Sequence, residues 1–529
     1  MVIAMVLLVP LLWTTAHTET LVYPRLLESR ADDGNFLLHI HDDLTLNLRK
    51  SSILAKDFVI TSSTGTGSDN VILNGPELER DLYHDTEHRS SLLIRRQENG
   101  VEVTGILNDK LTIAPAVLAE RSDGDLIPHE LFTVKERSST YGDGNEAGEP
   151  HNMILMDNAS FEAKNNRNCV EKFVVELCVA VGPKYEGAFN GTEDLVRYIA
   201  TVVNAVALSF TEMTDPVISL LLSGIIRPQT GDISGRKMCG MELHERKLHN
   251  VCAVDSRDAL YATAHLFDSC KLAHCDMLLQ LTSGDLAIQI NEITINRQLR
   301  GLTFFGGVCT NRSAMVAEDK PLTYSGVRTI AHEIAHSLGA SHDGENVTLP
   351  IDGYPNALNC AGNHGHLMRP DSNGDNMLGL SNCTKAQIKF RVNTLPQSCI
   401  QIHTEVNYSN YFYPGKNMTP ERFCQTMYPQ YKDVETSYGP NASVENCKIM
   451  CCWNQVLGVA QEREVISTED SESYDYSIYG GEPKQCLQHS MTEAMPCGDN
   501  KTCFQGVCDE HNWTEIYNTY RTYRTFNAL

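Results

Sequence analysis

The stretch that decides the fold is Ala331–Gly344, which reads AHEIAHSLGASHDG. His332 and His336 are four residues apart, so on a helix they project from one face, one turn above the other. This spacing lets two imidazoles reach one metal ion, and zinc favours nitrogen ligands at about 2.0–2.1 Å. The sequence therefore predicts a helix that binds zinc.

A third ligand can come from just beyond this helix. A helix that ends at Gly339 needs a residue that tolerates a left-handed turn, and glycine does so without a Cβ penalty. The chain can then double back and bring His342 to the metal. Three protein ligands leave the fourth position for water, which is the arrangement of a catalytic rather than a structural zinc site.

Glu333 follows the first histidine and cannot be a third ligand on the same helix face. It is placed to take a proton from a metal-bound water, which is the role of general base that this motif assigns to it. The alternative is a chance H-E-x-x-H match on a helix with purely structural histidines. Six specified positions agree in the pattern H-E-x-x-H-x-x-G-x-x-H-D, and this favours the zinc site.

The full pattern resembles the metzincin metalloproteases, which a third histidine and a methionine turn distinguish. Asp343 after the third histidine resembles the adamalysin (reprolysin) family, and Met368 lies where the methionine turn would fall. Gly301–Cys309 resembles the substrate-binding edge strand of that family, and Cys169–Val181 resembles its opening strand. Pro496–Cys508 is similar to a cysteine-rich segment found after such catalytic domains. The layout of the chain most resembles the secreted salivary metalloproteases of ticks.

The resemblance implies an α/β metzincin catalytic domain with a mixed twisted sheet and long helices. A β-rich pro-region would precede it, and a disulfide-rich module would follow. The expected boundaries are residues 1–16 for a signal peptide, 17–166 for the pro-region, 167–403 for the catalytic domain and 404–529 for the cysteine-rich module and tail.

From Cys169 onward, apolar residues alternate between strand-like and helix-like spacing, as in an α/β domain. Thr192 is a plausible N-cap for the first of the long helices. The predicted strands are Lys172–Val181, Pro216–Arg227, Asp276–Thr282 and Leu302–Gly307, and the predicted helices are Glu193–Met213 and Ser256–Ser269.

The last of these strands is expected to bind substrate, because an exposed edge offers unpaired amides that a peptide can join as an added strand. The residues concerned are Leu302, Thr303, Phe304, Phe305 and Gly306. An edge covered by the pro-region is the alternative, and would itself keep the enzyme latent.

Two features beside the zinc motif belong to the predicted methionine turn. The resemblance implies that Met368 packs beneath the three imidazoles as a soft apolar floor and does not bind zinc. His364 and His366 precede it and could compete for the metal, but a surface loop is favoured for them.

Composition and the N-terminus indicate a secreted chain. The formal net charge of −24 over 529 residues argues against nucleic acid or anionic lipid as a partner. The apolar run Val2–Trp13 lies within Met1–Ala16 and is too short to span about 30 Å of hydrocarbon, so it predicts a cleaved signal peptide. No later run has the length of a membrane helix, which predicts no membrane anchor; the oligomeric state stays open.

The cysteines agree with secretion. All eighteen lie between Cys169 and Cys508, ten of them up to Cys399 and eight from Cys424 onward. Even numbers in both blocks suit closed sets of disulfides in an oxidising compartment, although zinc-ribbon pairs in the second block are an alternative. The resemblance implies one pairing, Cys309 with Cys399.

N-x-S/T triplets add support for a secreted glycoprotein. They open at Asn158, Asn190, Asn311, Asn346, Asn407, Asn417, Asn441, Asn500 and Asn512, and at Asn382, which is expected to stay bare beside Cys383.

The segment before Cys169 reads as short strands and resembles a protease pro-region, in which Gly105–Pro115 looks like a recurrent strand. It has no cysteine to occupy the fourth zinc position, so latency must come from packing or from another ligand. Its cleavage is expected within Glu136–Asn168. The predicted strands are Asn35–His39, Asp57–Ile60, Ser91–Arg95 and Val101–Leu107, with Thr61–Gly67 between two of them.

Some members of the family also hold calcium. Glu176 and Asp276 match two of its ligand positions, but Ile402 stands where an asparagine is expected, which leaves calcium open and doubtful.

Together, the motif and the resemblance imply a zinc metalloendopeptidase with one catalytic zinc ion that cleaves extracellular proteins, such as fibrinogen or matrix proteins of a host. One alternative is a matrix-remodelling protease of the producing animal. Another is a non-catalytic binding protein that acts through its cysteine-rich module.

Overall fold

A mixed sheet of eight strands lies at the centre of the molecule and carries the helix that holds the three histidines. The computed structural model describes residues 20–27, 36–64, 67–97, 100–116, 126–134, 153–154, 170–228, 235–244, 247–269, 275–347, 349, 351–360, 366–369, 378–404, 418–428, 431, 433–438, 443–454, 484–491, 494–504 and 506–513. The predicted signal peptide, residues 1–16, lies outside them.

The N-terminal part of the described chain is almost entirely β structure, as its sequence predicts. Its elements are β1 Thr20–Val22, β2 Arg25–Leu27, β3 Phe36–His41, β4 Leu44–Lys50, β5 Leu54–Thr64, β6 Gly67–Asn74, the single-turn helix α1 Gly75–Leu78, β7 Leu82–Asp85, β8 Ser90–Gln97, β9 Gly100–Ile106, β10 Leu111–Pro115, β11 His129–Thr133 and β12 Met153–Ile154.

The central part mixes strands and helices. The strands are β13 Lys172–Val181, β14 Val217–Arg227, β15 Lys237–His244, β16 Lys247–Asp255, β17 Met277–Thr282, β18 Leu286–Gln289, β19 Ile295–Asn296, β20 Gly301–Phe304 and β21 Ala314–Glu318. The helices are α2 Pro183–Glu186, α3 Thr192–Ser209, α4 Ser256–Ser269, α5 Val327–Ser337, α6 Asn382–Val392 and α7 Gln397–Ile400. Among the helices of the described residues, none combines the length and the apolar character needed to cross a bilayer.

The central sheet has the strand order β12-β20-β21-β17-β13-β14-β5-β6. Neighbouring strands are parallel, except that β20 is antiparallel to β21 and β5 is antiparallel to β6. β13 and β14 read as nearly continuous apolar runs because both faces of a parallel sheet are covered. The mixed sheet and the long helices agree with the fold class that the sequence predicts.

Three strands of this sheet come from the part of the chain that precedes the predicted catalytic domain. β5 pairs with β14 on one side, β6 follows β5, and β12 pairs with β20 at the opposite edge. The N-terminal region and the central region therefore share one sheet, although the sequence predicts a separate pro-region.

The other N-terminal strands form a nine-stranded antiparallel sheet in the order β1-β11-β10-β9-β8-β7-β4-β3-β2. Helix α3 packs against β8 of this sheet and also against β14 of the central sheet. It is therefore covered on two sides, which explains why its sequence is apolar around most of its circumference.

Two predictions about α3 need correction: the helix ends at Ser209 rather than at Met213, and its N-cap is not Thr192. The strand Lys172–Val181 and the helix Ser256–Ser269 are confirmed with the same bounds. Thr192, however, is the first residue of α3 rather than its N-cap, which is Gly191. The hydroxyl of Thr192 instead accepts a hydrogen bond from Nη2 of Arg227 at 2.8 Å, so it is not available to cap the helix.

Two segments of the N-terminal region also differ from prediction. The stretch Thr61–Gly67 is not a loop between separate strands, because β5 runs to Thr64 and β6 begins at Gly67. Gly105–Pro115 is not one strand: it contains the end of β9, a turn and β10. Asn108 causes the reversal, since its side-chain oxygen accepts hydrogen bonds from the backbone N–H of Lys110 and of Leu111.

The C-terminal part is held together by disulfides. Its elements are α8 Pro420–Met427, β22 Glu435–Ser437, β23 Lys448–Asn454, β24 Lys484–Ser490, β25 Pro496–Gly498, β26 Lys501–Phe504 and β27 Val507–Asp509. All eight of its cysteines are paired, as Cys424–Cys451, Cys447–Cys503, Cys452–Cys486 and Cys497–Cys508. This pairing rules out the zinc-ribbon alternative for these residues.

Candidate active site

The helix α5 is fixed at both ends by specific contacts. At its start, a carboxylate oxygen of Asp319 accepts a hydrogen bond from the N–H of Gly326 at 2.8 Å, which satisfies one of the donors that a helix N-terminus leaves unpaired. At its end, Gly339 has a φ of 91°, as the sequence predicts for a residue that must turn the chain sharply. The chain then returns towards the helix.

This turn brings His332, His336 and His342 together in the interior. Each is no more than 5% exposed, and one ligand atom from each lies within 4.8 Å of the others. The Nε2 atoms of His332 and His342 are 3.3 Å apart. Two nitrogens that bind one tetrahedral zinc ion at about 2.0–2.1 Å are separated by roughly 3.3–3.4 Å. The spacing of these two nitrogens therefore matches a shared zinc ion, and the third histidine is close enough to complete the donor set.

The outer nitrogen of each imidazole is hydrogen-bonded. Nδ1 of His332 lies 2.9 Å from the carbonyl oxygen of Leu367, and Nδ1 of His336 lies 2.6 Å from that of Ala340. A carbonyl oxygen only accepts, so both Nδ1 atoms carry the proton and both Nε2 atoms keep a lone pair for a metal. Burial, together with the charge of His342, lowers the pKa of His332 well below its ordinary value, which favours the neutral ligand form.

His342 differs from the other two because its outer partner is a side chain. Its Nδ1 atom lies 3.0 Å from Oε1 of Glu345. The backbone N–H of Glu345 also donates to the carbonyl oxygen of His342 at 3.1 Å, which fixes the turn between them. The sequence reasoning missed Glu345, although an acidic residue three positions after a candidate ligand was a usable signal.

Glu333 is fully buried beside the histidines, and neither of its carboxylate oxygens has a hydrogen-bond partner among the described residues. Burial raises the pKa of Glu333 well above its ordinary value. A buried carboxylate without a partner is costly and is rarely kept without a ligand or water to receive it. Its position next to the histidines matches the role of a group that exchanges protons with a water molecule.

Gly301 makes room for this carboxylate. A β-carbon at position 301 would lie 2.6 Å from Oε1 and 2.7 Å from Cγ of Glu333. Because real β-carbons essentially never approach so closely, only glycine leaves Glu333 in its observed position.

The predicted methionine turn lies under the site. Met368 is fully buried in the same apolar cluster as α5, and its carbonyl oxygen accepts a hydrogen bond from the backbone N–H of Asp343 at 2.9 Å. Asp343 in turn accepts a hydrogen bond from the hydroxyl of Ser381 at 2.6 Å. His366 is not part of the histidine group, and His364 lies outside the described residues.

The predicted substrate strand is shorter than expected and is paired on both sides. It spans Gly301–Phe304, while Phe305 and Gly306 lie in the turn that follows, where the N–H of Gly306 donates to the carbonyl oxygen of His336 at 2.9 Å. β12 runs parallel along its outer side, with Met153 opposite Thr303 and Ile154 opposite Phe304. The structure therefore contains the alternative arrangement, in which the preceding chain covers the edge of the sheet.

The remaining site predictions fall into three groups. The structure contains the disulfide Cys309–Cys399, and also Cys178–Cys275, Cys239–Cys252 and Cys360–Cys383. The candidate glycosylation sites Asn190, Asn311, Asn346, Asn500 and Asn512 are all exposed, as is Asn382. Asn158, Asn407, Asn417 and Asn441 lie outside the described residues.

The two candidate calcium ligands are adjacent, and the backbone N–H of Glu176 donates to Oδ2 of Asp276 at 2.9 Å. The carboxylate of Glu176 accepts hydrogen bonds from the backbone N–H groups of His403 and Thr404 at 2.9 and 2.7 Å. Burial raises the pKa of Asp276 to about 8. A cation would have to displace these donors.

Comparison with known proteins agrees with this geometry. Residues 172–381 match the reprolysin model of metallo-peptidase family M12. The venom metalloproteinase antarease of Tityus serrulatus is 23% identical over 383 residues, which cover 68% of this chain and 87% of that protein. The venom metalloproteinase BumaMPs1 of Olivierus martensii is 25% identical over 63% of this chain and 83% of its own length. A disintegrin and metalloproteinase with thrombospondin motifs 13 of Mus musculus is 28% identical over 43% of this chain and 14% of that protein.

Residues 172–381 thus form a domain of the reprolysin type of metallo-peptidase family M12. The family implies zinc, and the three histidines are a group that can bind a metal ion.

Proposed function

We propose that the protein is a secreted zinc metalloendopeptidase in which Glu333 is the general base. The observation that carries the proposal is the arrangement of three inward-facing imidazoles around one point, with a partnerless buried carboxylate next to them. The intact set of Glu333 and three histidines speaks against a binding protein that has lost catalysis.

In this proposal His332, His336 and His342 hold the zinc ion through Nε2. A zinc ion bound there supplies polarisation of the scissile carbonyl group and a lowered pKa for water. Glu333 accepts a proton from the attacking water at a carboxylate oxygen and later delivers it to the leaving amine. Burial raises the pKa of Glu333, which favours its acceptance of a proton.

Substrate binding is assigned to β20, with the extended peptide adding to it as a strand. Met153 and Ile154 stand in that position, so they must leave before a protein substrate can enter. This displacement provides a basis for latency that needs no cysteine in the N-terminal region, where the sequence has none.

The proposed substrates are extracellular proteins, such as fibrinogen or matrix proteins of a host. Two of the relatives named above are venom metalloproteinases, which supports secretion and action on another animal. The relative with thrombospondin motifs is not named as a venom protein, which keeps open the second candidate, a protease that acts within the producing animal. The two candidates share their chemistry and differ only in the target.

The test is cleavage of fibrinogen and gelatin by the secreted protein, with and without o-phenanthroline, beside a Glu333→Gln variant. We expect cleavage that is lost both to the chelator and to the substitution, while the variant still binds zinc. The decisive sample is zinc-loaded protein in which residues 153–154 no longer pair with β20. If that sample cleaves neither protein, the proposal is overturned and a binding protein is favoured.

A further inference from the structure

The N-terminal region, defined here as residues 20–134, is built into the central sheet. β5 continues the sheet beyond β14 in parallel register, with Val59 opposite Gly224, Ile60 opposite Ile225 and Thr61 opposite Ile226. The backbone N–H of Leu222 also donates to the carbonyl oxygen of Ile53 at 2.7 Å. Without β5, the apolar strand β14 would present a long unpaired edge, which is a template for aggregation.

Gly224 shows how closely the two strands approach. A β-carbon at this position would lie 2.5 Å from the carbonyl oxygen of Val59. The glycine is thus required by the contact between the central strand and the N-terminal region, since the atoms nearest to that β-carbon all belong to Val59.

Helix α3 makes a second buried contact with the N-terminal region. The hydroxyl of Ser91 donates to the carbonyl oxygen of Thr201 at 2.8 Å and accepts from Nδ2 of Asn204 at 2.9 Å. Ser91 and Thr201 are fully buried, and Asn204 is 5% exposed. Loss of the N-terminal region would remove both of these hydrogen bonds from a helix face that is otherwise apolar.

The apolar core is also continuous across this boundary. One cluster of buried side chains joins residues of the N-terminal region to α3, β13, β14 and α5. Its members from the N-terminal region are Ile53, Leu54, Phe58, Ile60, Leu78, Leu82 and Ile106. At the rim, Arg89 bridges Asp109 of its own region and Glu212 just after α3, at 3.3 and 2.9 Å.

The cysteine-rich part contacts the same region. Leu37 on β3 is 3% exposed and lies in the core of the C-terminal part with Phe423, Tyr428 and Trp453. Lys448 approaches Glu87 at 3.7 Å. A solvent-filled cavity of about 360 Å³ lies where the three parts meet, lined by Arg49, Asp85, Glu212 and Met491 among others.

We propose that residues 20–134 stay bound as a non-covalent subunit of the mature protein after the chain is cut between residues 155 and 168. Only the two-residue strand β12, whose register with β20 is much shorter than that of β5 with β14, leaves the substrate strand. The retained region also keeps Leu37 in the apolar core of the cysteine-rich part. This inference does not depend on the zinc chemistry.

The sequence makes the association simple to test, because all eighteen cysteines lie from Cys169 onward and no disulfide can join the two pieces. In the full chain carrying Glu333→Gln, which prevents self-digestion, a recognition sequence for a site-specific protease replaces residues 158–164. After complete cleavage, the two pieces are separated by native size-exclusion chromatography and by non-reducing denaturing electrophoresis.

We expect the pieces to elute together under native conditions and to separate only in the denaturing gel. Elution of the N-terminal piece alone at micromolar concentration, with a soluble and folded remainder, would overturn the proposal. So would recovery of the remainder with an unchanged melting temperature after the N-terminal piece has been removed.

Two matched pairs of variants locate the interface. Gly224→Ala is expected to speed release of the N-terminal piece about ten- to a hundredfold, because the added carbon has no room. Gly182→Ala is its control, since a β-carbon there meets nothing within 4 Å. If Gly224→Ala fails to fold, Arg89→Ala is compared with Arg80→Ala, whose guanidinium pairs with Glu77 and Asp81 of its own region. Equal release rates within both pairs would contradict the assigned interface.

Discussion

Nδ1 of His342 lies 3.0 Å from Oε1 of Glu345, so a side chain holds this third histidine in place. The other two imidazoles donate to backbone carbonyl oxygens, which no substitution removes. The orientation of the third ligand is therefore open to a direct experiment.

We expect Glu345→Ala to weaken zinc binding about ten- to a hundredfold, because outer partners of metal-binding histidines typically have effects of this size. The measurement is zinc affinity by competition with a chromogenic chelator. Glu345→Gln is the control, since its amide oxygen can still accept the hydrogen bond from Nδ1. This variant should lose less zinc affinity than Glu345→Ala. Equal affinity in the alanine variant and the unmodified protein would contradict this role.

Gly301→Ala should lower kcat/KM by on the order of a hundredfold, because the new β-carbon collides with Glu333 and displaces the general base. Zinc content should stay close to one ion, since the three atoms nearest to the new β-carbon are Oε1 and Cγ of Glu333 and Cγ2 of Thr329, and none belongs to a histidine. Peptide cleavage and metal analysis are run on the same sample. A variant with full activity would show that Glu333 does not need its observed position.

In the N-terminal region the half-buried side chain of His88 pairs with the buried carboxylate of Asp85, 3.0 Å away. Burial lowers the pKa of His88, but the charge and hydrogen bond of Asp85 outweigh it and raise this pKa to about 9. A histidine whose pKa is higher in the folded state stabilises the fold fully below its ordinary value of about 6.5. That contribution is lost as the pH rises towards 9.

The free energy of unfolding should therefore fall between pH 6.5 and 9 by on the order of 1 kcal/mol more in the unmodified protein than in His88→Gln. Urea denaturation at several pH values in this range measures the difference. Parallel curves for the two proteins would mean that His88 is not charged in the folded state.

Calcium is expected to have no effect on stability at millimolar concentration. The carboxylate of Glu176 already accepts hydrogen bonds from the backbone of His403 and Thr404, and a cation would have to break them. Thermal unfolding with added calcium, compared with magnesium at equal ionic strength, tests this. A rise in the melting temperature of several degrees that is specific to calcium would show that the segment around His403 and Thr404 rearranges and that the ion binds.

The zinc motif could be predicted because its residues are close in the chain. His332 and His336 are brought together by helix geometry alone, and Gly339 sets the turn that returns His342. The strand β13 was predicted with its exact bounds because its apolar run is long and uninterrupted. In each of these cases, the spacing of residues close in the chain was enough to predict the structure.

Contacts between distant residues could not be predicted in this way. Thr192 lost its capping role to Arg227, which is 35 positions away. Gly301 has a strict requirement for glycine because of Glu333, on another element. Nothing in the sequence around either residue carries that information.

The amino-acid sequence was sufficient to predict the helix with the histidines, the alternation of strands and helices and the closed set of disulfides in the C-terminal block, since these depend on periodicity and on composition. The tertiary structure alone decided that β5 and β12 join opposite sides of the central sheet and that β12 covers the substrate strand. The physical reason is that a strand edge pairs through backbone groups, which are the same in every residue. Which strand occupies an edge is therefore fixed by packing across the whole molecule and not by the local sequence.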